Sequence, residues 1–172
     1  NQRALMRPDP FPGFLLSAQP CRPSSRGHLT LASPDPFAAP SIFPNSLSTD
    51  HDVQEMLEAS RFLRRLAATP AMRAVIDEEI APGATLSKPD ELLCDIRARA
   101  STVFHPVSTC RMGPDPRDAV VDARLRVHGV QGLRVVDASA FPALTSGNTN
   151  APTLMLAERG ADLILDDLGV SR

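Results

Sequence analysis

The sequence predicts an α/β fold of α+β character, in which short strands, helices and a closing strand–loop–helix unit follow one another along the chain. Prolines crowd the first 49 residues, and apolar residues recur at helical spacing from Asp50 onward. The last third alternates short apolar runs with glycine turns before one more helical pattern. With 172 residues, the chain is long enough to bury a modest core.

The proline-rich opening predicts loops and short strands. P-D-P turns at residues 8–10 and 34–36 exclude long helices there, because proline removes a backbone donor and clashes with the preceding turn. The best strand candidate covers residues 28–31, which follow the turn residues Ser24, Ser25 and Gly27.

The middle of the chain predicts three helices. The first begins at Asp50, with Thr49 or Asp50 as its cap, and Pro70 stops it. A second, shorter helix is expected over residues 72–80, and Asp90 opens a third. The apolar residues that set the first helical period are Val53, Met56, Leu57, Phe62, Leu63 and Leu66, and its charged residues Arg61, Arg64 and Arg65 are expected on a solvated face.

After Ser101 the pattern predicts strands and turns. Residues 102–104 are expected to form a strand that enters a loop. Residues 125–127 and 133–136 are expected to pair as a hairpin through the glycines at 129 and 132. A closing helix is predicted over residues 151–167, with Pro152 in its first turn, where a missing amide hydrogen costs little.

Charge and hydropathy exclude several classes of protein. The formal net charge is −2, and no long run of one sign would attract nucleic acid or anionic lipid. No apolar stretch is long enough to span a bilayer, and no signal peptide opens the chain. We therefore expect a soluble, cytoplasmic protein without nucleic acid or membrane partners.

The metal-ligating residue types form no motif. Cys21, Cys94 and Cys110 are far apart and odd in number, which favours free thiols over a zinc or redox site. His28, His51 and His128 show no metal-ligand spacing either. No metal site is expected.

His105 is the candidate for chemistry, because its ring is expected at a strand end and Pro106 restricts the backbone beside it. By position alone, a hydrogen-bonded structural histidine is the more common alternative. Similarly, the residue pattern S-G-N-T-N-A-P at residues 146–152, taken alone, favours a simple turn that leads to a helix cap. Asp137 after a predicted strand is ordinarily a turn former.

Several motifs that follow one another in order favour a functional role for these residues over a structural one. The last third of the chain contains, in this order, F-H-P-V-S-T-C-R-M-G, V-V-D-A-S-A-F-P and, before a helix, S-G-N-T-N-A-P-T. In these motifs it resembles the glucose-methanol-choline (GMC) family of flavoprotein oxidoreductases. The earlier C-R-P-S-S-R-G-H-L-T-L and D-P-F-A-A-P-S-I-F-P-N segments look like the substrate-binding region of that family. The resemblance spans nearly the whole chain.

The resemblance implies an FAD enzyme that oxidises a primary alcohol to an aldehyde, with a hydride passing to the flavin. The histidine of the family's H-P-x-x-T motif falls on His105, whose neutral imidazole suits proton abstraction near neutral pH. The second active-site position falls on Asn148, whose amide can donate a hydrogen bond but cannot act as a base. The resemblance implies cofactor contacts at residues Phe104, Asp137, Ala138, Thr149 and Asn150.

No G-x-G-x-x-G motif occurs, although the family's phosphate-binding glycine loop lies in an amino-terminal region. Together with a start at Asn1, this predicts a carboxy-terminal fragment of a GMC-type FAD-binding fold, completed by a missing amino-terminal half or a companion chain. Residues 1–100 are expected to belong to the substrate-binding cap region, including part of its antiparallel sheet. Residues 101–172 are expected to form the catalytic loop and the closing strand–helix unit of the FAD domain.

Two other functions remain open. The chain could be a noncatalytic remnant unable to bind FAD alone, or part of a flavin-containing lyase of the same family. A choline site favours aromatic walls and a carboxylate, and this chain has no Trp or Tyr. A general primary alcohol is therefore the preferred substrate class, and the electron acceptor is left open.

Overall fold

The computed structural model describes residues 9–170 of the chain. Residues 1–8 and 171–172 lie outside the described part, so the first P-D-P turn falls partly outside it. Within that part, helices alternate with loops and one antiparallel strand pair, as the sequence predicts.

Two short strands form the only regular sheet within residues 9–170. β1 covers His28–Thr30 and β2 covers Ser41–Phe43, and they pair antiparallel with Leu29 opposite Ile42. The ring of His28 stacks on that of Phe43, with centroids 4.8 Å apart. The predicted strand at residues 28–31 is thus confirmed, one residue shorter.

Gly27 sets the approach of the two strands. A Cβ atom at this position would lie 2.2 Å from the carbonyl oxygen of Phe43, so only glycine fits against the partner backbone. Sequence analysis did not single out β2, because Pro40 and Pro44 flank it and mask a strand of three residues.

The first helix, α1, covers Asp50–Ala67 and confirms its prediction. Thr49 has an extended backbone, and its hydroxyl accepts a hydrogen bond from the Asp52 amide at 3.3 Å, as expected of a threonine N-cap. Basic residues fill the last turn, where they interact favourably with the helix dipole.

Asp52 ties α1 to the proline-rich segment that precedes the sheet. Its side chain is 2% exposed, and its carboxylate accepts from the Ser24 amide at 2.7 Å and the Ser25 amide at 2.8 Å. The Ser24 hydroxyl donates to the same carboxylate. Burial by itself raises the pKa of Asp52, but hydrogen bonds from Ser25 and Ser24 outweigh burial, so the pKa lies well below its usual range.

The prediction of a second helix over residues 72–80 is largely wrong. α2 covers only Pro70–Arg73, where Pro70 occupies the first turn, and residues 76–79 have no regular structure. Short helices depend on a buried face, and Val75 is exposed, so no packing supports continuation. Pro70 therefore starts a short helix in addition to following the end of α1.

α3 covers Pro89–Arg99 and confirms the third predicted helix within one residue. Its residues Leu92 and Ile96 pack with Leu57 of α1 in a small apolar core, which we call the helical core. The predicted position of Arg64 on a solvated face is wrong, because its guanidinium binds Glu79 at 2.8 Å and donates to the carbonyl oxygens of Gly83 and Leu86.

The predicted strand at residues 102–104 is wrong. The Phe104 amide donates to the Thr102 hydroxyl at 3.0 Å, and Phe104 has a φ of 62°, which no β-strand accommodates. His105 therefore lies on a loop and not at the end of a strand.

The predicted hairpin is confirmed in its pairing but not as regular strands. Arg126 pairs antiparallel with Arg134, and the Val127 amide donates to the Leu133 carbonyl oxygen at 3.0 Å. Val121 forms a separate bridge with Val127 and another with Met112. The segment is thus a set of short bridges around one buried residue.

The closing helix, α4, covers Asn150–Asp167 and confirms its prediction within one residue. It packs on a second apolar cluster, the loop–helix core, formed by Val121, Leu125, Ala140, Phe141 and Leu156. Gly160 permits this close packing, because a Cβ atom there would lie 2.4 Å from Val136 Cγ1.

Ion pairs hold the far end of α4. Asp167 binds Arg124 at 2.6 Å and also binds Arg134, and the Arg124 guanidinium donates to the Leu163 carbonyl oxygen at 3.3 Å. The hydrogen bond from Arg134, followed by that from Arg124, lowers the pKa of Asp167. The middle and the carboxyl end of the helix are therefore anchored to the segment from residue 121 to residue 136.

The thiols of Cys21, Cys94 and Cys110 are all free, as predicted. Between residues 9 and 170, no helix combines the length and the hydropathy that a bilayer span requires. The predicted cytoplasmic location stays a prediction.

Replacement of Asp52 by asparagine should lower the free energy of unfolding by about 2 kcal/mol at neutral pH, because the amide donors of Ser24 and Ser25 lose a charged, buried acceptor. A carboxyl whose folded-state pKa is lowered stabilises the fold above its unfolded pKa of about 3.9, and this contribution is lost as the pH falls further. The difference between the two proteins should therefore shrink in acid. Chemical unfolding at pH 7 and below pH 4 measures it.

Asp50→Asn is the matched control, because Asp50 lies in the same helical turn but is exposed. Equal effects of the two substitutions, or a D52N difference independent of pH, would contradict the anchor role of Asp52.

Gly160→Ala should lower the melting temperature, although alanine ordinarily stabilises a helix by about 1 kcal/mol over glycine. The added methyl group would overlap the stiff Val136 side chain, and such overpacking costs about 1–3 kcal/mol. Val136→Ala removes the overlapping methyl groups. The double variant should therefore lose less stability than the sum of the two single variants. A G160A protein more stable than the parent would show that α4 tolerates a larger separation.

Candidate active site

The loop around His105 has an unusual backbone. Phe104 and Ser108, on either side of the histidine, have φ values of 62° and 72°, a conformation that residues other than glycine adopt rarely. Pro106 restricts the backbone of His105, the residue that precedes it. Such backbone persists only where surrounding contacts enforce it, and it is frequent at functional sites.

Those contacts come from the segment after the predicted hairpin. The amides of Cys110 and Met112 donate to the carbonyl oxygens of Ser139 and Ala140 at 3.0 and 2.9 Å, and Ser108 donates to Ala138 at 3.4 Å. The F-H-P-V-S-T-C-R-M-G motif therefore runs alongside residues 138–140.

Asp137 shapes this second segment. Its carboxylate accepts from the Ser139 amide at 2.7 Å and from the Ser139 hydroxyl, and so caps a single 3-10 turn at Ala138–Ala140. Ala138 is half-buried and Ala140 is fully buried in the loop–helix core. The carboxylate of Asp137 thus has a structural partner of its own.

The start of α4 meets the histidine loop. Thr149 occupies the N-cap position but already has a helical backbone, with φ −79° and ψ −11°, and its side chain makes no cap hydrogen bond. A capping side chain normally needs an extended backbone, so this hydroxyl is not directed at the helix amides. It lies 2.9 Å from His105 Nδ1 instead.

This contact occupies one nitrogen of the His105 imidazole and leaves Nε2 for a ligand. His105 is half-buried, whereas Asn148 and Asn150 are exposed on either side of buried Thr149. The first turn of α4 contains no acidic residue and no side-chain cap, so its amide end keeps its positive polarity. A neutral imidazole beside such an end can take a proton from a bound hydroxyl group while the helix favours negative charge.

The structure thus brings three predicted site segments together. His105 contacts Thr149 directly, and Ala138 contacts the histidine loop through Ser108. Asn148 adjoins Thr149 in the chain, and Phe104 adjoins His105 with its side chain largely exposed. Asp137 and Thr149, predicted as cofactor contacts, use their side chains within the protein.

Three contacts in this region were not predicted from the sequence. The contact between Thr149 and His105 joins residues 44 positions apart, and no local pattern marks it. Arg22 donates to the Ser146 hydroxyl at 2.7 Å and links the proline-rich segment to the S-G-N-T-N loop. His128 Nε2 lies 3.0 Å from the Gly113 carbonyl oxygen, in agreement with its structural interpretation.

Arg111 anchors the loop after the histidine motif. Its guanidinium donates to the Asp118 carbonyl oxygen at 2.6 Å and pairs with the Asp118 carboxylate at 2.9 Å. Away from this site, ligand-type atoms of His51, Asp52 and Glu55 lie within 4.8 Å of one another. The carboxylate of Asp52 is already bound by Ser24 and Ser25, which accounts for its position without a metal.

A histidine loop, a capped turn and the start of a helix thus meet at one place in the fold. The family model described as GMC oxidoreductase matches residues 23–157. The chain therefore belongs to the GMC oxidoreductase family, which confirms the predicted resemblance.

Relatives support the assignment. The chain is 44% identical over 153 residues to the alcohol dehydrogenase (acceptor) of Pseudomonas putida, a match that covers 89% of this chain and 28% of that protein. It is 45% identical over 152 residues to the oxygen-dependent choline dehydrogenase of Chromohalobacter salexigens, covering 88% of this chain and 27% of that protein.

A solved structure has the same fold. The FAD-dependent oxidoreductase from Chaetomium thermophilum superposes with a TM-score of 0.83 at 33% identity, over 88% of this chain and 26% of that chain. The predicted fold class, that of the carboxy-terminal region of GMC oxidoreductases, is confirmed. The chain spans little more than a quarter of the length of the curated relatives it matches.

Asp137→Ala should destabilise the protein by about 1 kcal/mol, because the 3-10 turn loses its cap. Asp137→Ser should restore most of this loss, since serine can accept the same amide hydrogen bond without a charge. Thermal unfolding of the two variants measures the difference. Equal losses would mean that the negative charge itself, and not only an acceptor oxygen, is required to cap this turn.

Proposed function

We propose that this chain supplies the His105 side of an FAD-dependent active site that oxidises a primary alcohol to an aldehyde. The observation that carries the proposal is the position of His105, which the hydroxyl at the start of α4 holds at 2.9 Å. A base held beside a positively polarised helix end suits a reaction in which a proton leaves a hydroxyl and negative charge develops nearby.

The residues present fit one side of an FAD ring system. The first turn of α4 has no side-chain cap and no acidic residue, so its amide end favours a cofactor that becomes anionic on reduction. Phe104, Ala138 and Asn150 offer exposed or half-buried surface around it. Asp137 and Thr149 would contact the cofactor through their backbones. When bound, FAD would accept the hydride from the substrate carbon.

His105 and Asn148 have different roles at the substrate oxygen. Nε2 of His105 takes the hydroxyl proton, because Nδ1 is engaged by Thr149. The Asn148 amide donates a hydrogen bond to the same oxygen and positions it, since an amide has no titratable proton near neutral pH. A positioned general base contributes about 10²–10⁴ in rate.

Exposed apolar surface supports the proposal that an amino-terminal FAD-binding half, or a companion chain, completes the protein. An isolated two-stranded sheet is marginally stable, yet Leu31 beside β1 is 85% exposed and Phe37 is 94% exposed. Leu154 and Met155 on α4 are also largely exposed. Large apolar patches of this kind mark surfaces that another part of a protein covers.

The division of the chain at residue 100 is also part of the proposal. The helical core is built from residues before this point, and the loop–helix core from residues after it. We assign residues 1–100 to the substrate-binding cap and residues 101–172 to the FAD domain.

We propose a general primary alcohol as substrate. The relatives named above are an alcohol dehydrogenase and a choline dehydrogenase, so the matches do not select one class. A quaternary ammonium group is bound best by aromatic faces, and this chain offers neither Trp nor Tyr. Discrimination against choline would therefore depend on walls that the remaining part of the protein supplies.

His105→Ala in the complete FAD-loaded protein should slow flavin reduction by about two to four orders of magnitude, because the general base is lost. FAD content should persist, since no cofactor contact is assigned to the imidazole. Stopped-flow absorbance during anaerobic mixing with a primary alcohol measures the rate. His51→Ala is the matched control, because it removes an exposed histidine whose Nε2 lies 3.8 Å from Glu55 on α1.

The same measurement separates the alternatives. A colourless reconstituted protein would favour the noncatalytic remnant, and a yellow protein that releases a carbonyl product without bleaching would favour the lyase. Unchanged reduction in the H105A protein would mean that another residue is the base.

A further inference from the structure

The hydroxyl of Thr149 does not cap the helix, although Thr149 occupies the N-cap position. Threonine is common at the N-cap because its oxygen accepts a helix amide. Here Thr149 is 8% exposed, makes no cap hydrogen bond and lies 2.9 Å from His105 Nδ1. A buried hydroxyl that leaves a helix end uncapped and contacts a distant imidazole indicates a role at that imidazole.

Thr149 is itself firmly placed. Its carbonyl oxygen accepts from the Thr153 amide at 3.0 Å and the Thr153 hydroxyl at 2.7 Å. One turn further, Leu156 is buried in the loop–helix core, and Gly160 lies against Val136. The hydroxyl therefore projects from a rigid element, which can fix the position of a ring to a fraction of an ångström.

A histidine base also needs the correct tautomer. Nε2 can accept a proton only if the ring proton is on Nδ1, and that proton needs an acceptor. A hydroxyl oxygen provides one, because it accepts through its lone pairs while its own hydrogen rotates elsewhere. Among the described residues, Thr149 Oγ1 is the polar side-chain atom within hydrogen-bond distance of Nδ1.

We propose that Thr149 is a positioning residue that keeps the ring proton of His105 on Nδ1 and so leaves Nε2 free to accept the substrate's hydroxyl proton. This inference rests on the proposed role of His105 as the base. In the reaction, the substrate O–H bond breaks and the proton goes to Nε2, while Thr149 keeps its own proton. The resulting imidazolium donates from Nδ1 to the same hydroxyl, and this hydrogen bond is stronger because the donor is charged.

The kinetic test compares three substitutions in the complete FAD-loaded protein. Thr149→Val has nearly the same shape without the hydroxyl and should slow flavin reduction by about tenfold to a hundredfold, with little change in the apparent dissociation constant of the alcohol. Thr149→Ser keeps the hydroxyl and should stay within about threefold of the parent rate. Thr69→Val is the matched control, because it removes a hydroxyl that donates to the Leu66 carbonyl oxygen at the end of α1 and does not contact His105.

A spectroscopic test is independent of activity. ¹⁵N spectra of the protein labelled at the histidine rings distinguish a protonated from an unprotonated nitrogen, and His105→Asn assigns the His105 signals. The neutral ring should carry its proton on Nδ1 in the parent and in T149S, and this preference should weaken in T149V. If the T149V protein does not accumulate, Thr149→Ala removes the hydroxyl without adding a branched side chain and serves the same comparison.

The two proposals fail in different ways. A proton on Nε2 in the parent protein, or a T149V protein with the parent tautomer and parent rate, overturns the role of Thr149 while H105A remains slow. A fast H105A protein overturns the base assignment instead. Loss of rate in T149S equal to that in T149V would show that side-chain shape and not the hydroxyl matters, which also overturns the inference.

Discussion

The close packing of α4 on the loop–helix core is the constraint on which the site depends. Gly160 lets the helix approach Val136, and Asp167 binds Arg124 and Arg134 at its carboxyl end. A helix fixed at both its middle and its end has little freedom left at its start. The position of Thr149, and through it the orientation of the His105 ring, is therefore set by apolar packing about eleven residues away.

The histidine loop is constrained from the opposite side. Backbone hydrogen bonds from Cys110 and Met112 to the capped turn at Ala138–Ala140 hold the motif after His105, while the positive φ values of Phe104 and Ser108 turn the chain around the ring. Left-handed backbone at such residues costs roughly 1–2 kcal/mol each. The surrounding core offsets this cost, and the same strain fixes the loop in one conformation. The base proposed at His105 would benefit, because its ring would not need to be reorganised during the reaction.

Sequence analysis predicted what local patterns control. Helical periodicity located α1, α3 and α4 within one residue of their observed starts, because caps, first-turn prolines and apolar spacing act within a few residues. The pattern was wrong at residues 72–80 and 102–104, where no buried face supports a helix and the Thr102 hydroxyl captures the Phe104 amide. The motifs located His105, but its strand-end position was wrong for this reason. The Thr149 contact could not be predicted, since it depends on how two segments 44 residues apart are packed.

The residues that meet at the His105 ring come from two separate parts of the chain. His105 lies on the F-H-P-V-S-T-C-R-M-G motif, whereas Thr149, whose hydroxyl contacts its ring, immediately precedes α4 and lies between Asn148 and Asn150. In the function proposed above, substitutions at residues 148–150 would change the base, the hydrogen bond to the substrate and the charge near the cofactor together. The histidine loop itself would stay unchanged. The start of α4 would then be the adjustable part of the proposed site, while packing through Gly160 keeps the middle of the helix in place.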